Sequence, residues 1–304
     1  MLHLLQNKRW LFEQGYYAQL APAFFKGLHT GNKMNLYDFA ARPNHTRLLL
    51  KNEHAAEDQP NYLSLVFADA EGRITPEVNA RNSKAIINVI GPMTKYGDIS
   101  SYGTDDYENQ VDIALQNPDV DALLLNMDTP GGAANDTFPE KVAQANQQMP
   151  VLAFANPLLV SAGYMVASQA ERIYAGGSMA EIGSIGTYWM YMNEREFLQA
   201  NGIRIEIFRA DKSTDKVAIN PIEDPEEDAL ARAQAETNYV NELFISAVKR
   251  GRRNRLKMNE KDSPLFTGRT YLAEDALRLG LIDAIGTFDD ALAQLNRMVK
   301  KRNL

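Results

Sequence analysis

The stretch that most constrains the fold is "DALLLNMDTPGG" at 121–132, a continuous apolar run that ends in a glycine turn. An apolar run without polar alternation is typical of a strand covered on both faces. A second apolar strand, "KAIINVIGPM", precedes it, and "DDYENQVDIALQNPDV" between the two has the pattern of a helix. Strand, helix and strand in this order form a parallel unit with a crossover helix.

The same alternation continues to the end of the chain, so residues 81–304 are expected to form one α/β domain with a parallel β-sheet core and flanking helices. Residues 1–80 are expected to form a separate N-terminal arm, an oligomerisation element or a lid. Within the arm we expect an amphipathic helix at roughly 2–27 and a strand at 62–72. In the domain we expect strands at 150–156, 171–177, 181–191 and 204–210. We expect helices at 136–149, 193–203 and 225–250, with Asp224 as the N-cap of the last one. The segment 265–301 is expected to form a strand, a helix, a second strand and a final helix.

Composition excludes several kinds of chemistry. The chain has no cysteine, which excludes thiol catalysis, disulfides and cysteine-rich metal sites. Its four histidines, at positions 3, 29, 45 and 54, all precede the expected domain. The domain is therefore expected to work without imidazole.

Charge and hydropathy indicate no nucleic-acid partner and no membrane span. The net charge of −7 gives no general attraction for nucleic acid or anionic lipid, and the basic cluster "KRGRRNRLK" at 249–257 is expected to be a solvated helix end. No run approaches the ~20 apolar residues of a membrane span. The first residues lack the order of a secretory signal, so a cytoplasmic location is expected.

Candidate functional residues follow the strands, because parallel sheets place ligands beyond the carboxyl ends of their strands. After 121–127 comes Asp128-Thr129-Pro130-Gly131-Gly132, where two glycines let backbone N–H groups approach a bound carbonyl. A preorganised donor of this kind contributes on the order of 3 kcal/mol to acyl transfer. The alternative interpretation is a plain turn.

Ser161 follows the next strand, at the start of a short helix. It is either a nucleophile, with the N–H of Ala162 as a further oxyanion donor, or a cap or small packing residue. A nucleophilic serine needs a base, and without histidine the remaining choice is a lysine whose pKa is lowered from ~10.4 toward ~7 or 8 by desolvation. Lys212 and Lys216, in the loop after 204–210, are the two candidates.

These features together carry a resemblance. From about residue 84 to 295 the chain resembles the signal peptide peptidase A family of serine peptidases, which share the Clp protease and crotonase type of α/β fold. The stretches that carry the resemblance are "NMDTPGG", "VSAGYMVASQAERIYA", "IGSIGTYW" and "GRTYLAEDALRLGLIDAIG". The resemblance implies that Ser161 is the nucleophile and Lys216 the base, with Lys212 as the alternative. It further implies oxyanion donors at Gly131, Gly132 and Ala162, and a supporting hydroxyl at Ser184.

The function implied is a serine endopeptidase with a Ser/Lys dyad that cleaves extended protein or peptide substrates, without metal, nucleotide or other cofactor. The resemblance also implies a ring-like or dome-like homo-oligomer. Within the family, the subgroup without a membrane anchor resembles head-maturation proteases of tailed phages, which implies a location in the cytoplasm or inside a prohead. The alternatives are a soluble bacterial enzyme that clears signal peptides and other peptides, a crotonase-type enzyme acting on acyl-CoA esters, and a scaffold in which Ser161 only packs.

Overall fold

The computed structural model describes residues 10–12, 65–69, 71–78, 81–97, 102–257 and 264–304. The strands are β1 (Trp10–Phe12), β2 (Leu65–Ala68), β3 (Ile74–Thr75), β4 (Ser83–Ile90), β5 (Val120–Thr129), β6 (Gly131–Ala133), β7 (Val151–Val160), β8 (Arg172–Ala175), β9 (Glu181–Gly183), β10 (Thr270–Leu272) and β11 (Ala284–Ile285). The helices are α1 (Thr104–Gln116), α2 (Thr137–Gln148), α3 (Ala162–Ala167), α4 (Arg195–Ala200), α5 (Glu227–Arg252), α6 (Ala273–Leu279) and α7 (Phe288–Arg302).

Nine of the strands in these ranges form one sheet, whose main path is β10-β9-β7-β5-β4-β2-β3. Its centre is parallel, because β4 pairs with β5, β5 with β7, and β7 with both β8 and β9 in the same direction. Antiparallel pairs lie toward the edges, between β2 and β4 and between β9 and β10. The prediction of an α/β fold with a parallel core is therefore confirmed.

Both faces of the sheet are covered, which explains the unbroken apolar run of β5. Leu123 and Leu125 point into the larger core cluster, together with Phe138 of α2. Leu124 points to the opposite face, where Leu295 of α7 belongs to the second cluster. Each such leucine contributes about 2 kcal/mol of burial free energy, so the strand is held from both sides.

Helix ends follow local chemistry, with one difference from the sequence prediction. At the start of α7, Thr287 Oγ1 accepts from the Asp290 N–H at 3.1 Å while the Asp290 carboxylate accepts from the Thr287 N–H at 2.8 Å, a capping box. Helix α5 has Glu226 as its N-cap rather than Asp224. The Asp224 carboxylate instead accepts a hydrogen bond from Arg195 at 2.8 Å, so it is not available as a cap.

Three further expectations differ from the structure. The strand expected at 181–191 extends only over Glu181–Gly183. Trp10–Phe12, inside the helix expected at 2–27, forms a strand paired with β6, and the remainder of that helix lies outside the described residues. Residues 204–210, expected to be a strand, have no regular structure and are mostly exposed, because no neighbouring strand pairs with them within the described ranges. The strand expected at 62–72 appears as β2 and joins the main sheet. The division at residue 80 stays a prediction.

Candidate active site

The carboxyl ends of three neighbouring parallel strands, β5, β7 and β9, build the site. Thr129 of β5 is level with Leu159 of β7, and Val160 of β7 is level with Gly183 of β9. Gly131, Ser161 and Ser184 follow these paired residues by one or two positions, and adjacent strands lie about 4.8 Å apart. The register therefore places Gly131 on one side of Ser161 and Ser184 on the other.

Ser161 has a backbone conformation that few side chains adopt, with φ 58° and ψ −127°. Its N–H donates to Gly183 O at 2.8 Å, and its own carbonyl accepts from the Met165 N–H at 3.0 Å. Positive φ at a residue other than glycine costs on the order of 1–3 kcal/mol. The flanking strand and helix hold this conformation, which turns the chain sharply from β7 into α3.

The Ser161 hydroxyl is fully buried and has no hydrogen-bond partner among the described residues. A capping serine would accept from an N–H of the first helical turn, and Ser161 makes no such bond. A buried unsatisfied hydroxyl costs about 1–3 kcal/mol. The geometry therefore contradicts the capping interpretation and leaves a strained, unpaired hydroxyl at the end of the central strand.

The glycine turn lies against this serine through Thr129 and Gly163. A Cβ at Gly163 would stand 2.4 Å from Thr129 Cγ2, so α3 can approach the turn this closely only with glycine there. Thr129 Oγ1 donates to Gly91 O at 2.7 Å and accepts from the Gly131 N–H at 3.1 Å. Gly131 itself has φ +85°, the left-handed region that favours glycine.

Gly132 is fixed on one side by Met93. The Met93 N–H donates to Gly131 O at 2.8 Å, and the Ala133 N–H donates to Met93 O at 2.9 Å. A Cβ at Gly132 would lie 1.8 Å from Met93 O, so no other residue fits at this position without movement. The turn is thus a defined backbone structure and not a loose loop.

Ser184 continues from β9 on the other side of Ser161. It is buried, has φ 51°, and donates its N–H to Arg269 O at 2.8 Å. The structure therefore brings together five of the predicted site residues at one end of the sheet: Gly131, Gly132, Ser161, Ala162 and Ser184.

The two candidate lysines lie elsewhere. Lys212 and Lys216 are both exposed, and neither bonds the unpaired Ser161 hydroxyl. Arg209 holds their loop through bonds from Nε to Lys216 O at 2.7 Å and from Nη2 to Val217 O at 2.9 Å. Arg209 also pairs with Glu223, and hydrogen bonds from Arg209 and then Asn220 lower the pKa of that carboxyl.

The sequence pattern did not indicate a buried charged cluster that lies next to α3. Arg252, expected to be solvated with the rest of 249–257, is fully buried. Its Nε and Nη2 donate to Gly280 O at 3.1 and 2.9 Å, and its Nη1 donates to Asp283 at 2.8 Å. The buried Tyr164 hydroxyl of α3 donates to Leu281 O at 2.7 Å, and burial raises its pKa.

This cluster ties α3 to the C-terminal segment. Burial by itself raises the pKa of Asp283, but bonds from Arg252 and from the Ile173 N–H lower it below its usual value. The sequence signal is that Arg252 lies four residues, about one helical turn, after Val248, a buried apolar residue of α5.

Several of the known proteins that the chain resembles are proteases. Over 228 residues the chain is 26% identical to Protease 4 of Haemophilus influenzae, covering 74% of this chain and 36% of that protein. Over 193 residues it is 27% identical to capsid assembly protease C of Escherichia phage lambda, covering 62% of this chain and 42% of that protein. The chain thus spans less than half of the length of these relatives.

Among solved structures, the chain is similar to the membrane-bound stomatin-specific protease 1510-N in complex with a substrate peptide, with 20% identity and a TM-score of 0.41 over 69% of this chain and 77% of that one. No helix within the described ranges is both long enough and apolar enough to cross a membrane. Residues 143–302, just over half of the chain, match Peptidase family S49. The chain therefore belongs to Peptidase family S49.

Proposed function

We propose that this chain is a serine endopeptidase in which Ser161 is the nucleophile. The observation that carries the proposal is the Ser161 hydroxyl, which is fully buried, unpaired among the described residues, and held at φ 58° beside a glycine turn. A fold tolerates backbone strain and an unsatisfied hydroxyl together where function requires them. Membership of a peptidase family supports the same assignment.

In this proposal Ser161 Oγ attacks the peptide carbonyl while a neutral lysine takes its proton. The N–H groups of Gly131 and Ala162 bind the oxyanion, and Gly131 exchanges its 3.1 Å bond to Thr129 for the stronger charged acceptor. The protonated lysine then donates to the leaving amine as the C–N bond breaks. Water then attacks the acyl-enzyme and gives a proton to the lysine, and the lysine passes that proton to Ser161 Oγ as the ester bond breaks, which restores both groups.

Gly132 takes a different part in the proposal from the one expected. Met93 occupies one edge of the glycine segment, so the N–H and C=O of Gly132 point to the other edge. An extended substrate lying along that edge would pair with them as an added strand. We therefore assign Gly132 to substrate binding and leave the oxyanion to Gly131 and Ala162.

Lys216 remains our choice of base and Lys212 its alternative, and we propose that a neighbouring copy supplies the lysine. A lysine takes up a proton only when it is uncharged, which requires desolvation. Both lysines are exposed in the single chain, so a second copy must bury one of them. In this proposal the hydroxyl of Ser184, next to Ser161, orients the incoming amine.

Exposed apolar side chains around the lysine loop support a homo-oligomer. Phe208 is 90% exposed, and several other large apolar residues between 190 and 217 are also exposed. These residues are Met190, Met192, Phe197, Ile203, Ile205 and Val217. Surfaces of this kind mark protein–protein contacts.

The proposal is tested with a fluorophosphonate probe and mapping of the labelled residue. We expect wild type to be labelled at Ser161, and Ser161→Ala to be unlabelled. The Lys216→Ala variant should be labelled at least 100-fold more slowly than wild type. The control variant Lys212→Ala, changed in the same loop, should be labelled at the wild-type rate. Labelling at another serine, or equal rates in wild type and both lysine variants, would contradict the mechanism.

Mixing two inactive variants tests the origin of the lysine. If the base comes from a neighbour, Ser161→Ala and Lys216→Ala proteins that exchange subunits form some sites with an intact serine and an intact lysine, and part of the activity returns. If the base belongs to the same chain, no mixed site is complete and activity stays absent.

The biological setting expected from the sequence, capsid or scaffold maturation inside a prohead, stays a prediction. The alternative setting, clearance of signal peptides and other peptides by a soluble bacterial enzyme, shares the same chemistry. The crotonase alternative would need a carboxylate in the position of Ser161, and turnover of a coenzyme A ester by the purified protein would favour it.

A further inference from the structure

Strand β1 of the N-terminal region lies along the glycine segment of the active site. Trp10–Phe12 pair antiparallel with Gly131–Ala133, with Leu11 level with Gly132. This pairing forms a two-stranded sheet separate from the main one. A segment distant in sequence therefore occupies the edge that we assign to substrate.

The pairing uses the backbone groups that a substrate would need. Along an extended strand, successive residues direct their N–H and C=O groups to alternate edges. Gly131 O and the Ala133 N–H bind Met93, so the N–H and C=O of Gly132 face Leu11 on the opposite edge. Occupation by β1 and by a substrate strand is therefore mutually exclusive.

The direction of β1 is that of a chain entering the active site. Trp10 lies beside Ala133 and Phe12 beside Gly131, the residue next to Ser161. The strand thus runs from its N-terminal to its C-terminal end toward the nucleophile. It imitates the part of a substrate that precedes the bond to be cleaved.

Burial agrees with an occupied site. Gly131, Gly132 and Ser161 are all buried in this structure, although an enzyme must bring a peptide to each of them. A peptide can reach the Gly132 edge only after β1 has left it.

We propose that β1 is an internal competitor of substrate, a strand of the chain itself that closes the peptide-binding edge until it is displaced. This inference rests on the proposed function and concerns the regulation of the same site. Substrate binds only to the fraction of molecules in which β1 has left the edge, so the apparent KM rises by the inverse of that fraction. If β1 occupies the edge nine-tenths of the time, the apparent KM rises about 10-fold. The kcat of bound substrate does not change.

A reversible disulfide tests this directly in the full-length chain. The chain has no cysteine, so the double variant Trp10→Cys/Ala133→Cys contains one possible intrachain disulfide. Since Leu11 and Gly132 face each other, Trp10 and Ala133 form a pair without mutual hydrogen bonds, whose Cα atoms lie about 4.5 Å apart, within disulfide range. We expect mild oxidation to form the bond within one chain.

Hydrolysis of fluorescein-labelled casein is then compared between the oxidised and reduced forms of this variant. Oxidation should lower it at least 10-fold, and dithiothreitol should restore it. The single variants Trp10→Cys and Ala133→Cys should show no such redox dependence. Failure of the intrachain bond to form, a bond between two chains instead, or equal hydrolysis by both forms would overturn the inference.

The fluorophosphonate probe separates this inference from the proposed function. If the reduced double variant is labelled at Ser161 but locking has no effect, the peptidase assignment stands and the competitor is refuted. If the reduced form and wild type are neither labelled nor active on casein, the peptidase assignment fails, while disulfide formation still reports where β1 lies.

A second pair of variants opens the edge instead of closing it. Leu11→Pro removes the N–H that faces Gly132, whereas Leu11→Ala keeps it. We expect Leu11→Pro to lower the KM for casein at least 3-fold at unchanged kcat and to speed deuterium exchange at the Gly132 amide. Leu11→Ala should match wild type in both measurements. Equal KM and equal exchange in the two variants would overturn the inference, and the exchange readout does not depend on activity.

Discussion

The ends of the central strands and the loop region 189–223 are built in opposite ways. At the strand ends, Ser161 is fully buried, and main-chain bonds to Gly183 and Met165 hold its position. In the loop region, Lys212 and Lys216 are exposed, and Phe208 presents its ring to solvent. One chain therefore fixes the geometry of Ser161, the nucleophile of our proposal, while the position of the proposed base depends on an assembly of chains.

The largest effect expected in the strand-end region is on catalysis. Ser161→Ala should lower casein hydrolysis roughly 10³-fold or more. Its free energy of unfolding should stay the same or rise by up to about 1 kcal/mol, because the lost hydroxyl has no partner among the described residues.

Ser168→Ala is the matched control on the C-terminal side of the same helix. Ser168 Oγ donates to Met165 O at 2.7 Å and accepts from Gln169, so this variant should lose about 1–2 kcal/mol of stability and keep its activity. Casein hydrolysis and chemical denaturation are measured for both variants. A Ser161→Ala protein that is as active as wild type would remove the distinction between the two regions.

Arg252→Met should cause the largest loss of stability, about 3–5 kcal/mol, because it leaves the buried Asp283 without its main partner. Arg209→Met in the loop region breaks a partly exposed ion pair with Glu223 and should cost about 1 kcal/mol or less. Urea denaturation of the two variants gives both values. Equal losses would show that the loop region is as tightly held as the buried Arg252–Asp283 cluster.

Gly132→Ala should cost about 2–4 kcal/mol and most of the activity, since its Cβ would lie 1.8 Å from Met93 O. Gly202→Ala is the matched change within the loop region, at φ +72° with nothing within 4 Å of the added Cβ. It should cost only the backbone strain, about 1 kcal/mol. Thermal melting and casein hydrolysis distinguish the two, and a Gly132→Ala enzyme with wild-type activity would contradict the role of this edge.

Acid should weaken the buried Arg252–Asp283 cluster, which lies beside the amino-terminal end of β8. Its pKa is lower in the folded chain than its usual value, so its contribution to stability is present above about pH 4 and is lost as the pH falls through the folded pKa. The free energy of unfolding should therefore decline between about pH 5 and pH 2, and Asp283→Asn should have a shallower slope. Identical slopes would mean that this carboxyl does not take part in acid unfolding.

Phe208→Ser is expected to have the smallest effect on the stability of a single chain. With 90% of Phe208 exposed, the free energy of unfolding should change by less than about 0.5 kcal/mol. If the exposed residues around Phe208 join two copies of the chain, sedimentation of the Phe208→Ser variant should show a smaller assembly than wild type. A loss of more than about 1 kcal/mol would indicate instead that the ring packs within its own chain.

The sequence predicted the sheet, and that the residues after β5 and β7 meet at one end of it, because the signals there are local. Apolar runs define β4, β5 and β7, Gly280 ends α6 with φ 79°, and the residues after each strand must meet at one edge. The resemblance added Ser184, which no local pattern singles out.

The remaining features depend on contacts distant in sequence. The aromatic and apolar residues Trp10–Phe12 are compatible with a helix or a strand. They form a strand because their backbone pairs with Gly131–Ala133. Arg252 looks solvated within a run of basic residues until Asp283 and Gly280 are brought to it. In the same way, 204–210 alternates like a strand but no partner pairs with it within the described ranges.

Under the proposed function, the amide and carbonyl of Gly132 on the edge that β1 occupies would limit which proteins can be cut. A polypeptide can pair with that edge only if its own backbone groups are free at the same point, which helices and interior strands do not offer. Under the proposed function, the rate at which a folded protein is cleaved is then set by how often a short stretch of it unravels, more than by the side chains around the scissile bond.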